Sequence, residues 1–527
     1  MPTVCGEPVS LVEPPSLKQQ PQARAKSWRS ARAEVAQDRA SHIRNTLIPA
    51  ASAAERLQVA IGQLQNNRPE YSARLPLWAW QKGIAALVVC LIATGAVLAP
   101  GATGMAVSAA LSFSFLSLAM LRAVCLWHGP LSRAASAETL AEEDLPYYTV
   151  LVPLFGEAAM VADLVAALSA LDYPAAKLQI LFVIEEADPA MQKALAATPM
   201  PGHFEAIVVP LGLPQTKPRA LNYALQDIRG EFVVIFDAED MPEPDQLRKA
   251  VAAFRAGPAN LACVQASLNV YNANASWLTR QFTIEYTVLF DWILPALQSL
   301  GLPLPLGGTS NHFRAADLLA VGAWDPFNVT EDADLGIRLA REGYAVHVLP
   351  STTWEEAPVH ARAWRLQRKR WLKGWMQTYL VHTREPARLW RELGAWRFCG
   401  LQMLMGGLIL SALVHPVFYA MAAVSAWQGT LFVPPAGGVG AAIWYLGLFN
   451  LATGYLIAIA LGAAAVYRRL GPELVRDTAL MPVYWLMISA AAYLALHELI
   501  TAPFYWEKTA HSPRSSAAKS AGRRASP

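Results

Sequence analysis

The stretch Glu231-Phe232-Val233-Val234-Ile235-Phe236-Asp237-Ala238-Glu239-Asp240 runs an apolar segment straight into three carboxylates. Glu231 to Phe236 is β-branched and aromatic from its second residue on and too short for an ordinary helix, so it reads as a buried strand. In open α/β sheets, ligands bind beyond the carboxyl ends of strands, where these acids stand. The flanking chain repeats the pattern. Thr149 to Leu154 is an apolar strand ending in the turn Phe155-Gly156-Glu157. Ala158 to Leu171 has helical periodicity and stops at Asp172-Tyr173-Pro174. Leu178 to Ile184 is a second buried strand, closed by Glu185-Glu186-Ala187-Asp188, and Ile207 to Pro210 is a short third one. Alternating strands and helices predict an α/β domain with a largely parallel sheet over residues 145–385. Glu157, Glu185, Glu186, Asp188 and Asp237 all fall at strand ends. The chain has no G-x-G-x-x-G and no G-x-x-x-x-G-K-[ST], so dinucleotide and P-loop readings have no support.

Apolar sequence walls this domain in. The 527 residues are 54% hydrophobic and 16% charged, below the usual quarter charged for soluble proteins. Gly83 to Leu121 carries no charge and is interrupted only by Pro100-Gly101, which predicts two spans over 81–125. Phe398 to Tyr467 is again uncharged, and Thr478 to Leu496 is long enough for another span, giving a C-terminal membrane region over 398–500. Seven cations from Lys18 to Arg44 precede the first span and favour a cytoplasmic N-terminus, which places the domain in the cytoplasm too. Arg468 and Arg469 also favour that side. The cationic tail 507–527 favours it as well, which demands an even number of crossings. Either the long uncharged run holds an extra segment, broken at His415-Pro416, or the last run does not cross. Segment 1–80 reads as cytoplasmic, with a polar helix from Ser27 to Gln65 that is solvated or flanks the membrane. The Ser-, Ala- and Arg-rich tail reads as disordered. The five cysteines (5, 90, 125, 263 and 399) form no metal or disulfide pattern and fit a reducing compartment. A net charge of +3 is too small to argue for nucleic acid.

Three motifs carry chemistry. A hard cation on a diphosphate needs one or two carboxylates, leaving its other positions to phosphate and water. Asp237 with Glu239, or with Asp240, supplies these; the bland alternative is an acidic turn ahead of Pro242. About 95 residues on, Thr330-Glu331-Asp332 opens a helical stretch from Ala333 to Ala340. Thr330 as a cap and acids in the first turn suit a helix start, and the rigidity of that start also suits a general base. About 35 residues further, Gln367-Arg368-Lys369-Arg370-Trp371 lies in a basic stretch where Trp364, Trp371 and Trp375 share a helical face. That is the pattern of an interfacial helix, with cations toward headgroups. It equally provides Arg370, whose fork of donors suits a departing diphosphate, and Trp371 as a platform for an acceptor sugar. Gly307 to His312 is a polar loop that either lines an acceptor site or is a plain turn. Trp354-Glu355-Glu356 likewise lines the acceptor path or serves structure.

In this order, the three motifs resemble the D-x-D, T-E-D and Q-x-x-R-W motifs of membrane-bound family 2 glycosyltransferases, which include bacterial cellulose, β-glucan and hyaluronan synthases. The resemblance covers residues 145–385 and implies a GT-A-type, Rossmann-like domain between N- and C-terminal transmembrane helices, on the cytoplasmic face of a bacterial inner membrane. It implies Mg²⁺ or Mn²⁺ at Asp237 and Glu239 or Asp240, and Asp332 as base, with Glu331 and Asp334 as alternatives. Lys217 stands where the family has a lysine near the nucleotide, and Glu157 with Glu185 or Glu186 would address its base and ribose. The implied activity is inverting transfer from a UDP-sugar, glucose favoured, to a growing β-linked exopolysaccharide that is passed across the membrane, possession of export partners included. Single-sugar transfer to a lipid carrier or glycan end is the first alternative. A non-catalytic sugar-nucleotide-binding regulator of a transporter is the second.

Overall fold

The computed structural model describes residues 52–75, 77–130, 140–435 and 437–504. The N-terminal cations Lys18 to Arg44 and the tail 507–527 lie outside the described residues. Eight strands form one sheet: β1 (Tyr148–Leu154), β2 (Leu178–Glu185), β3 (Phe204–Val209), β4 (Phe232–Ile235), β5 (Met241–Pro242), β6 (Leu261–Val270), β7 (Asn311–Arg314) and β8 (Ala345–Glu355). Their order is β3-β2-β1-β4-β7-β6-β8-β5. The first four are parallel, with Val152 beside Phe182 and Val150 beside Val234. The parallel run ends at β4. The short β7 is antiparallel to both β4 and β6, while β6 and β8 are parallel to each other. The sheet is therefore mixed beyond β4, where a largely parallel one was expected. Because β1, β2, β4 and β6 are buried almost throughout, both faces are covered. Val150, Val152, Ile180 and Val234 fill one face and Leu151, Leu181, Val183 and Val233 the other, as strand alternation requires. Each such side chain contributes about 1.5–3 kcal/mol by leaving water.

The helices used below are α1 (Ala53–Asn67), α2 (Ala79–Leu98), α3 (Pro100–His128), α4 (Lys217–Ala224), α5 (Trp277–Val288), α6 (Glu331–Arg341), α7 (Ala361–His382), α8 (Gly407–Trp427), α9 (Gly438–Leu470) and α10 (Met481–Thr501). A Ser52–Glu55 capping box starts α1, worth about 1 kcal/mol. Its apolar face (Leu57, Ala60 and Leu64) is buried, and the Ala60 carbonyl accepts from Asn222 Nδ2 at 3.1 Å. The described part of the segment expected to be solvated is thus docked on the domain, because the α1 stripe is apolar enough to bury against α4.

Among the described residues, four helical runs are long and apolar enough to cross a membrane by length and composition: Ala79–Leu98, Pro100–His128, Pro386–Trp427 and Gly438–Thr501. The last comprises α9, a 3-10 stretch over Gly471–Leu480, and α10. α8 passes through Pro416 without a break, so the interruption expected at His415-Pro416 falls instead at 428–437. The helix ends show how the runs are arranged. At the start of α2, Trp80 Nε1 donates to the Arg384 carbonyl at 3.1 Å, and at the end of α3 His128 meets Ser299 Oγ at 2.8 Å. Ahead of α8, the Tyr379 hydroxyl donates to Gln402 at 2.6 Å; at the end of α9, Arg469 grips Asp291 at 2.6 and 2.7 Å. α2–α3 and α8–α9 are therefore two hairpins whose open ends rest on the domain. α10 differs. The Tyr484 hydroxyl donates to Glu285 at 2.9 Å near one end, and Phe504 meets Phe327 just past the other, with ring centroids 5.8 Å apart. A helix of 21 residues is about 32 Å long, so α10 lies along the domain rather than pointing away from it.

Candidate active site

A cavity of about 640 Å³ opens where β1, β2 and β4 end and continues between the domain and the apolar helices. Glu157 and Glu185 line its outer part, followed by Lys217, Asp237 and Glu239. Glu331 and Asp332 come next, then Gln367, Arg370 and Trp371. Arg122, His415 and Trp485 line the part among the helices. Three of the sequence candidates lie elsewhere: Glu186, Asp240 and Asp334. Glu186 accepts from the Leu211 N–H at 2.9 Å on the surface. Asp240 is fully buried behind its loop, where Oδ2 accepts from the Asp237 N–H at 2.7 Å and from the Thr309 hydroxyl. Burial, and then Asp237 and Glu239, push its pKa well above the usual carboxylate value. Asp240 thus shapes the turn that presents Asp237 and Glu239 to the cavity.

Lys217 joins three elements. From the first turn of α4 its ammonium donates to Asp237 Oδ1 at 2.5 Å and to the Gly308 carbonyl at 2.8 Å. Burial pulls its pKa down, but Asp237 and Glu331 more than reverse this, leaving the cation held above its ordinary value. Arg219, two residues along α4, is wholly buried and ion-paired to Glu185. Burial raises the Glu185 pKa despite Arg219. Sequence reasoning gave Arg219 no role; a second cation in the same first turn as Lys217 was the available signal.

Helix α6 begins at Glu331, and Thr330 holds the cap position without a side-chain cap bond. Its hydroxyl oxygen is buried without a hydrogen bond, and a Cβ on Gly374 of α7 would overlap its side chain. Thr330 is therefore a packing residue between α6 and α7, not the expected cap. Asp332 Oδ1 accepts from the Ala333 N–H at 2.7 Å. Burial raises the Asp332 pKa, with Ala333, Lys217 and Arg370 opposing. Burial and then Asp332 push Glu331 up to about 8. Asp334, the other alternative base, is buried and paired with Arg338 and with His382 Nε2 at 2.9 Å, away from the cavity. Asp334 therefore serves the α6–α7 contact.

Helix α7 supplies the far wall. Trp371 stacks on Tyr286 of α5 at a 22° interplanar angle, and the Arg368 guanidinium lies 4.5 Å over its ring. Arg368 donates to Glu285 at 2.7 Å. Lys369 and Lys373 both pair with Glu498 of α10, at 2.6 Å for Lys373. These cations face carboxylates of α5 and α10, whereas the sequence had placed them toward headgroups. Trp375 lines the cavity, while Trp364 is buried beside Tyr484. Burial lowers the Arg370 pKa against the pull of Glu331 and Asp332. Glu355 lines the cavity too; burial and Glu239 push it up to about 8, and the Tyr286 hydroxyl donates to it. Gly307, Gly308 and Thr309 form the floor, and a Cβ on Gly308 would lie 3.3 Å from Asp332.

Asp237 and Glu239 present hard oxygen donors to the same space as Lys217 and Arg370. Among the described residues no three His, Cys, Asp or Glu side chains converge into a metal cage. This sparse set suits a divalent cation that takes most of its ligands from a diphosphate and water.

Residues 146–374 match the model described as glycosyltransferase like family 2. A probable glycosyltransferase of Bacillus subtilis (strain 168), YdaM, is 26% identical over 278 residues, covering 49% of this chain and 65% of that protein. Probable glucomannan 4-beta-mannosyltransferase 1 of Arabidopsis thaliana is 26% identical over 259 residues, covering 48% and 45% respectively. Beta-monoglucosyldiacylglycerol synthase of Trichormus variabilis (strain ATCC 29413 / PCC 7937) is 27% identical over 241 residues, covering 45% and 50%. The chain thus spans about half to two thirds of the length of these relatives.

Proposed function

We propose that the chain, whose residues 146–374 match the glycosyltransferase like family 2 model, transfers a sugar from a nucleoside-diphosphate sugar to an acceptor hydroxyl, with inversion at the anomeric carbon. The observation that carries this is one cavity holding a diphosphate-ready set (Lys217, Asp237, Glu239, Arg370), a carboxylate fixed at a helix start (Asp332) and an aromatic platform (Trp371). Asp332 takes the proton of the attacking hydroxyl. Lys217 and Arg370 face the charge that builds on the leaving diphosphate, in a site where burial strengthens their field. Trp371, braced by Tyr286 and Arg368, orients the acceptor ring. Asp237 and Glu239 would hold Mg²⁺ or Mn²⁺, which when bound neutralises part of the diphosphate charge. Glu157 and Glu185 are left to contact the nucleotide.

The specific reading is processive polymerisation of UDP-glucose into a β-linked exopolysaccharide at a bacterial inner membrane, with the polymer leaving between the helices and then meeting export partners. Its support is the stacked Trp371 at the entrance to the helix layer. A second reading, addition of a single sugar to a lipid, is favoured by the continuation of the cavity among apolar helices. Its other support is the relative named as a diacylglycerol glucosyl synthase. Reconstituted protein supplied with Mg²⁺ and a panel of radiolabelled nucleotide sugars separates them by product size. Replacing Asp332 by Asn is expected to cut turnover at least about 10²-fold while nucleotide binding persists. Turnover unchanged in Asp332→Asn would remove Asp332 from the base role.

A further inference from the structure

Arg122 lies in α3, one residue beyond the uncharged run that reads as membrane span, and lines the helix-side part of the cavity. Among the described residues its guanidinium meets the Trp485 ring, 5.3 Å from the centroid, and no carboxylate. Glu285, an acid on the wall of the same cavity, is already taken by Arg368 and by the Tyr484 hydroxyl. Ser489 of α10 is 1% exposed, lines the same cavity, and its hydroxyl has no hydrogen-bond partner. Ser411 and His415 of α8 add further polar atoms, 2.9 Å from each other. The surrounding wall is apolar, with Leu408, Ile409, Leu461 and Ile488.

A charged group enclosed in apolar helices is costly unless a counter-charge meets it, and such residues mark ligand sites. We infer that the Arg122 end of the cavity binds an anionic phosphoryl group attached to an apolar tail, carried by the acceptor. This rests on the reading above that the acceptor occupies the cavity. Arg122 stands six residues, about 9 Å, from the domain-side end of α3 at His128. A bilayer about 40–45 Å thick around a core of about 30 Å has headgroup layers about 5–7.5 Å deep, so Arg122 stands about where headgroups meet hydrocarbon. A lipid phosphate would arrive at the right height, with its hydrocarbon against Leu461 and Ile488. The guanidinium and the Ser489 hydroxyl would donate to its oxygens. Lys217 and Arg370 face the donor diphosphate at Asp237, so this second anion site belongs to the acceptor side.

The test is calorimetric titration of the full chain in an uncharged detergent with dioctanoyl phosphatidate, dioctanoylglycerol and inorganic phosphate. Phosphatidate is expected to bind saturably and about tenfold or more tighter than either of the others, since a charged hydrogen bond is at stake. Arg122→Gln should weaken phosphatidate by about tenfold or more, and Arg122→Lys by less. Inorganic phosphate binding as tightly as phosphatidate would overturn the lipid source. Equal affinity for phosphatidate and dioctanoylglycerol in the unmodified chain would overturn the anion site without recourse to a variant, as would unchanged binding in a folded Arg122→Gln protein. Sugar transfer measured on the same preparations keeps the two readings apart. Transfer without Arg122-dependent binding leaves the transferase and removes this site. Arg122-dependent binding without transfer from any donor leaves the site and removes the transferase.

Discussion

Glu331 and Asp332 are neighbours in one first turn, yet their environments separate them. Burial raises Asp332 against the Ala333 N–H, Lys217 and Arg370, whereas Glu331 is pushed up to about 8 by burial and by Asp332 despite the same two cations. In the nucleotide-free protein Glu331 therefore holds its proton near neutrality, and Asp332 is the better base. A carboxyl whose folded pKa exceeds its unfolded value binds its proton more tightly when folded. Stability then falls as pH rises from the unfolded value of 4.5 to about 8. Glutamine cannot titrate, so the melting temperature of Glu331→Gln, relative to the parent, should climb across that window. Parallel melting curves would show that Glu331 is ionised throughout. The Asp332 shift predicts transfer activity that falls on acidification, as its carboxylate is protonated.

Among the elements, the contact between α6 and α7 is the one on which the site depends. Gly374 lets α7 approach so closely that any Cβ there would overlap Thr330. Gly374→Ala is expected to separate Asp332 from Arg370 and Trp371 and to lower transfer about tenfold or more, because a misplacement of about 1 Å can cost 10². Thr330→Ala in the same chain should restore part of the loss, and kinetics on the single and double variants would measure it. A double variant no better than the single one would place the strain elsewhere. Much of this was legible in the sequence, though unevenly. The strands β1, β2 and β4 are continuous apolar runs ending in acids, and each reads directly. β6 does not, although all ten of its residues are buried. Gln265, Ser267 and Asn269 interrupt it, and they are polar because that face holds the floor of the site. Gln265 accepts from the Gly307 N–H at 2.8 Å and donates to the Thr309 carbonyl at 3.0 Å; Asn269 donates to Thr287 at 3.0 Å. Only the three-dimensional partner turns such a sequence into a buried strand. The fates of Asp240, Glu186 and Asp334 were hidden for the same reason. Glu186 and Asp240 each adjoin a cavity-lining acid and Asp334 stands two residues from one, and spacing does not say which acid of a cluster faces the cavity.

For the molecule as a whole, the helix ends imply a topology that charge counting left open. The open ends of both hairpins rest on the domain, and α10 returns to it. We therefore propose four crossings by α2, α3, α8 and α9, with α10 remaining on the domain side. Cysteines placed at Gln428 and at Thr501 test this with an impermeant thiol reagent on intact cells. Gln428 should react from outside and Thr501 only after lysis. External reaction at Thr501 would make α10 a fifth crossing. The cavity runs between the two hairpins and the domain, so it needs both to close. Glu498 adds a temporal consequence. Lys373 sits on the platform helix, and its carboxylate partner lies 125 residues later in the chain. At roughly 5–20 residues per second, a ribosome supplies that partner about 6 to 25 s after Lys373 itself. A nascent chain can thus carry every catalytic side chain and still lack the helix that braces them, so transfer should switch on only once α10 has been made.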